Sequence, residues 1–189
     1  KTRTPRKIDL LLNTHHHPDH TGGNKVLRPM ATKIVAHENV PGLQKKQAAA
    51  AKTEDAQAYA DETFKDGWKV DIGKEKVSTK YYGPGHTSGD AVIFFQQANI
   101  VHMGDLMSHQ RHPRVDRPAG ASIRNWLVSL EKVTKDHSND TIYIFGHSKV
   151  GAPVTGPKQD LLALRDYFSA MLDYVQKGIA AGKSADEII

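Results

Sequence analysis

Apolar positions fall into two patterns along this chain: short runs of strand length, and longer stretches with the three-to-four spacing of a helix. Ile8–Leu12 (IDLLL) reads as a buried strand delivering Asn13 and Thr14 at its end, and residues 33–37 (KIVAH) read as another. Residues 44–59, rich in Ala, Lys and Gln, carry helix propensity. Residues 70–72 and 76–82 predict a hairpin about Gly73-Lys74, and residues 91–96 and 99–103 predict two further strands with a tight connection. Trp126, Leu127, Leu130 and Val133 then recur at helical spacing after Ile123, with Ser122 as N-cap. Residues 141–145 (TIYIF) give another strand. Leu161, Leu164, Phe168, Met171, Leu172 and Val175 form one stripe of a C-terminal helix over about 157–177.

Composition narrows the class. The 189 residues, 38% of them apolar, suit a single domain over 1–189 with a fillable core. No repeat, low-complexity tract or linker divides them. No apolar stretch nears the roughly 18 residues of a membrane span, and no charged-then-apolar leader opens the chain, so it reads as soluble, with its compartment open between cytoplasm and periplasm. The net charge of +5 is modest and sits partly in Lys1, Arg3, Arg6 and Lys7, which read as a frayed basic terminus. Without an aromatic stacking series beside the basic residues, nucleic acid is disfavoured as a partner. The absence of cysteine removes disulfides and thiolate ligands together, leaving His and Asp to hold any metal.

The chemistry concentrates in THHHPDHTGGN, where His15, His17, Asp19 and His20 occupy six positions. Two histidines one residue apart project to the same side of an extended segment, while adjacent Asp19 and His20 must diverge, so one short turn can address two neighbouring metals. Pro18 should keep this loop out of helix, and Gly22-Gly23 permits close backbone approach before a short helix at Asn24–Leu27. Three later segments repeat the arrangement of an apolar run ending in a glycine-flanked ligand: GHTSGD with His86, MGDL with Asp105, and FGHS with His147.

These segments, in this order, resemble the sequence motifs of the metallo-β-lactamase superfamily, with the motif-bearing part spanning 13–149. The resemblance implies an αβ/βα sandwich with its site at one edge between the sheets. It also implies that His15, His17 and His86 bind one zinc, that Asp19, His20 and His147 bind a second, and that Asp105 bridges them. Iron or manganese are the alternatives to zinc. Family members usually begin with further strands before the His-rich loop, so the resemblance implies an N-terminally shortened form, or sheet partners from a complementing N-terminal segment or a second copy. An unprotected edge or exposed core face is expected either way.

The activity implied is that of a dinuclear zinc hydrolase, with a metal-bound hydroxide attacking a small-molecule carbonyl substrate such as a thioester, lactone or related ester or amide. Asp19 and Asp105 are its catalytic carboxylates, Asp19 receiving or orienting the nucleophile's proton. A bridging Asp105 shifts the balance away from a dedicated β-lactamase, which usually carries Cys or Ser near that point. β-Lactam hydrolysis, phosphodiester cleavage and a non-enzymatic metal or flavin-partner scaffold are the other readings. Residues 107–122 contain His109, Arg111, His112, Arg114 and Arg117; they border the site and attract a substrate carboxylate or phosphate, or else form a solvated loop. His16 should point away from its two neighbours. His37 and His102 read as packed histidines, His137 as solvent-facing, and Asp90 as either orienting a ligand or capping local backbone.

Overall fold

The computed structural model describes residues 8–189, so the basic run Lys1 to Lys7 lies outside it. β1 (Ile8–Leu12) leads through two single-turn helices, α1 (Pro18–Thr21) and α2 (Asn24–Leu27), to β2 (Ala31–His37). Then follow α3 (Val40–Ala51), β3 (Glu62–Phe64), β4 (Gly67–Ile72), β5 (Glu75–Tyr81), β6 (Ala91–Phe95) and β7 (Ile100–His102). The two-residue β8 (Ser108–His109) precedes α4 (Ile123–Asp136), β9 (Ile142–Ile144), β10 (His147–Ser148), β11 (Thr155–Gly156), α5 (Lys158–Ala180) and α6 (Ala185–Ile188).

The strands form a parallel sheet β1-β2-β3 and a six-stranded sheet β11-β9-β7-β6-β5-β4, with β8 and β10 paired beside them. The six-stranded sheet is antiparallel except where β7 meets β9. Its Val92, Val101 and Tyr143 pack against Trp126, Leu130 and Val133 of α4 and Leu161, Leu164 and Phe168 of α5, all buried. Ser122 caps α4 by accepting from the Asn125 amide at 3.3 Å, as its position predicts. Removing the Leu130 side chain from this core costs about 2–5 kcal/mol.

Several elements depart from their sequence patterns. Pro18 does not exclude helix but starts one: at the first helical position its missing N–H is no loss. The helix expected over 44–59 runs from Val40 to Ala51, started by Pro41 and stopped where Lys52 turns left-handed (φ 54°). β1 is only half-buried, because among the described residues it pairs with β2 alone. A cavity of about 490 Å³ lies between it and the six-stranded sheet, lined by Leu10, Leu12, Ile72, Val77, Ile93 and Phe95. His137 is half-buried rather than fully solvent-facing, its ring tilted against Phe94 with ring centres 4.5 Å apart.

What this topology does for the site is bring four loops together. They leave the ends of β1, β5, β7 and β9, and they carry His15 to His20, His86, Asp105 and His147 respectively.

Candidate metal centre

The first loop is held before any ligand is placed. Asn13 and Asn24 exchange amide hydrogen bonds of 3.0 and 2.9 Å, and the Ala91 amide donates to Thr14 O at 2.7 Å, tying the loop to the six-stranded sheet. The Thr21 hydroxyl donates to the carbonyls of His16 and His17. The second loop is fixed by buried Asp90, which accepts from the amides of Gly85 and Thr87 and from the Thr87 hydroxyl at 2.6 Å. Asp90 therefore caps backbone, and burial raises it to about 7 against those hydrogen bonds. In the third loop Gly104 (φ 52°) lies against the Thr14 side chain; in the fourth, a Cβ on Gly146 would overlap Asp105 Oδ1. Both close approaches require glycine.

The seven predicted side chains form two groups that share Asp105. In the first, His17 Nδ1 is 3.0 Å from His15 Nε2 and 2.9 Å from His86 Nε2, and Asp105 Oδ2 is 3.7 and 3.4 Å from those two Nε2 atoms. In the second, Asp105 Oδ1 lies 3.1 Å from His20 Nε2, Asp105 Oδ2 3.2 Å from His147 Nε2, and Asp19 Oδ2 3.4 and 3.1 Å from the same two nitrogens. Adjacent Asp19 and His20 therefore do not diverge from one another. On the turn of α1 they fall in one group, and the divergence is between this pair and the pair His15 and His17.

Outer hydrogen bonds fix which way the imidazole lone pairs point. His17 Nε2 donates to Asp116 Oδ2 at 2.7 Å, and His86 Nδ1 donates to the Arg114 carbonyl at 2.7 Å. The Nδ1 atoms of His15 and His20 both lie 3.2 Å from the Thr14 hydroxyl oxygen. With the outer nitrogens of His17 and His86 spent as donors, their inner nitrogens carry lone pairs, and these meet the inner nitrogen of His15 around one point. Neutral imidazoles so arranged repel unless a cation lies between them. A tetrahedral zinc with nitrogens at about 2.1 Å spaces its ligands about 3.4 Å apart, close to the separations here. Asp105 Oδ1 is buried with His20 Nε2 3.1 Å away but in no well-aligned hydrogen bond, so it is an acceptor that a second cation would satisfy. The donor set, nitrogen and carboxylate with no sulfur, fits zinc and equally admits other divalent ions.

Electrostatics differ between the groups. Burial, reinforced by the neighbouring imidazoles of His20, His86 and His17, holds His15 well below the usual histidine range. Burial lowers His86 to about 4. Burial also works to lower His20, yet contact with Asp105 and then Asp19 carries it above its ordinary value. Asp105 moves the opposite way: burial would raise it, but His20, His86 and His147 hold it down.

Other residues take sides the sequence left open. His16 is buried outside both groups and lines a separate cavity with Thr21, Gln44 and Ala48. His102 Nδ1 accepts from the Gly104 amide, supporting the Asp105 turn, and His37 packs on Phe64 and Tyr81. Arg114 is exposed, with its guanidinium 3.8 Å from Asp116. Sequence reasoning missed Asp116 and Thr14. Thr14 opens the His-rich segment without being a metal ligand, and Asp116 reaches His17 across 99 positions, so no local spacing announces it.

The sequence profile of the metallo-beta-lactamase superfamily matches residues 1–147. The chain is 28% identical to the type 2 metallo-beta-lactamase of Bacillus cereus over 77% of its own length and 54% of that protein's. It is also 28% identical to the hydroxyacylglutathione hydrolase of Maricaulis maris, over 53% of this chain and 34% of the relative. The solved metallo-beta-lactamase from Pontibacter korlensis superposes with a TM-score of 0.68 at 20% identity, covering 85% of this chain and 69% of that one, which identifies the fold as the αβ/βα sandwich of this family. The chain spans about half the length of the first of these curated relatives. By profile, by relatives and by architecture, the chain belongs to the metallo-beta-lactamase superfamily.

Proposed function

We propose that the chain is a hydrolase working with two divalent cations, zinc by donor chemistry, on a small carbonyl substrate such as a thioester, lactone or related ester or amide. His15, His17 and His86 would hold one cation, Asp19, His20 and His147 the other, and Asp105 would be shared. The observation that carries this reading is the meeting of three inward imidazole nitrogens, His17 Nδ1 lying 3.0 and 2.9 Å from the other two, beside a buried carboxylate. Cations bound there would supply Lewis acidity and bring the pKa of a bound water to about 7.

The protein's own groups divide the remaining work. Burial keeps His15 and His86 neutral at physiological pH, so they meet a cation without first losing a proton. Asp116 and the Arg114 carbonyl hold the His17 and His86 rings in orientation. Asp19, with 54% of its side chain exposed, stands at the rim beside His147, where its Oδ2 can accept the proton released as water attacks a carbonyl. Thr14 and Gly104 close the floor beneath.

Metal analysis coupled to a hydrolysis panel of a thioester, a homoserine lactone, a cephalosporin and a phosphodiester tests this. Two equivalents of metal with turnover of the thioester or lactone is the expected result. Less than one equivalent and no turnover of any substrate would refute it. The cephalosporin is included because relatives such as that of Bacillus cereus are named as β-lactamases; preferential turnover there would move the assignment to β-lactam hydrolysis.

A further inference from the structure

A third cavity, of about 470 Å³, lies between the segment after Asp105 and α5. Its size suits a small ligand. The floor strand β8 pairs in register with β10, setting Ser108 opposite His147, and Met107 O accepts the His147 amide hydrogen at 3.4 Å. The cavity is thus joined by backbone to the exposed half of the candidate centre. Met107, Leu164, Ala163 and the Tyr167 ring give it an apolar body. The mouth is formed by Gln110, Arg111 and His112, where Gln110 adopts a left-handed conformation (φ 53°). A non-glycine residue held in that region indicates that the turn is imposed by its surroundings. A 2.7 Å hydrogen bond between His112 Nδ1 and the Tyr167 hydroxyl fastens the turn to α5.

The charges in the cavity are unequal. Its carboxylate, Asp160, faces His109 Nε2 at 3.5 Å. Arg111, by contrast, has no carboxylate partner among the described residues, whereas Arg114 three positions on has Asp116. An unpaired guanidinium at the mouth of an apolar cavity is suited to a carboxylate carried on an apolar chain.

We propose that this cavity is the acyl pocket of the centre and selects carbonyl substrates whose acyl chain ends in a carboxylate, with Arg111 binding that terminus. This rests on the hydrolase reading above, and the test separates the two. Thioesters of medium-chain dicarboxylic acids and their uncharged acyl counterparts are compared with the metal-loaded protein, and binding of the matching methyl-ketone analogues, which cannot be hydrolysed, is measured by calorimetry. The wild type should prefer the carboxylated member of each pair. Arg111→Met should raise its KM and its analogue's Kd about ten-fold or more, leaving the uncharged member and the metal content unchanged. Ala163→Trp, on the exposed face of α5, should fill the cavity and weaken both members.

If thioesters are turned over but Arg111→Met treats the two members as the wild type does, the pocket assignment is overturned and the hydrolase reading stands. If nothing is turned over yet the carboxylated ketone still depends on Arg111 and Ala163, the pocket stands and the hydrolase reading falls. Indifference to both substitutions in both measurements overturns the pocket outright.

Discussion

The two halves of the centre are built from nearly the same residue types and sit in opposite environments. His15, His17 and His86 have side chains no more than 3% exposed, and each outer nitrogen has an oxygen partner, whereas Asp19 and His147 are 54% and 35% exposed at the rim. The buried half is pre-organised, since its rings are oriented whether or not a cation is present. The outer half keeps accessible groups where a substrate can arrive. Asp105 is the one side chain in both, so it is the point at which the comparison can be broken.

Asp105→Ala should have the largest effect. It removes a ligand from each group and should lower hydrolysis on the order of a thousand-fold while releasing metal from both, read by turnover and by metal content of the purified variant. Single-sided variants should then separate the halves: His147→Ala is expected to retain about one equivalent of metal, and His86→Ala to lose the tighter one, which competition with a chelator resolves. Retention of two tight equivalents by His147→Ala would contradict the outer-half assignment. Asp116→Asn should weaken metal affinity by about 10–100-fold in the buried half alone, because the amide cannot accept the His17 proton with the same strength.

Acidification should reveal the smallest difference. His20 is raised above its ordinary value and so gains its proton first as pH falls, while His86 resists until about 4. In metal-free protein the signs oppose. The depressed His15 and His86 contribute stability that is complete above about 6.5 and declines as pH falls, in the case of His86 toward about 4, because the unfolded chain binds more protons there. His20 contributes in the other direction, present below about 6.5 and lost as pH rises through its raised value. A net fall in Tm between pH 6.5 and 4 is expected, and His86→Gln should flatten it.

Much of this was legible in the chain, for reasons that differ by residue. His15, His17, Asp19 and His20 are contiguous, and His86, Asp105 and His147 each stand beside glycines that the close packing of Gly104 and Gly146 requires, so local pattern exposed them. The long helices were legible because α4 and α5 bury one stripe each against the six-stranded sheet. Short strands such as β3, β8, β10 and β11 have too few residues to show a period, and they owe their conformation to partners elsewhere in the chain. β1 looked buried because its residues are apolar, but burial depends on neighbours that composition does not specify. Pro18 was misread as a helix breaker because its effect depends on position within the turn. Asp116 was invisible for a related reason: its role is defined by His17, and only the fold makes them neighbours.

The tie between the Ala91 amide and Thr14 O, together with Asp105 beneath both groups, means that the segments around residues 15, 86, 105 and 147 all meet at one spot. In a chain without cysteine, cations held there would cross-link distant stretches of sequence much as a disulfide does. Chelation should then act as the counterpart of reduction in a secreted domain, loosening the seam between the two sheets before it disturbs the helices packed behind them.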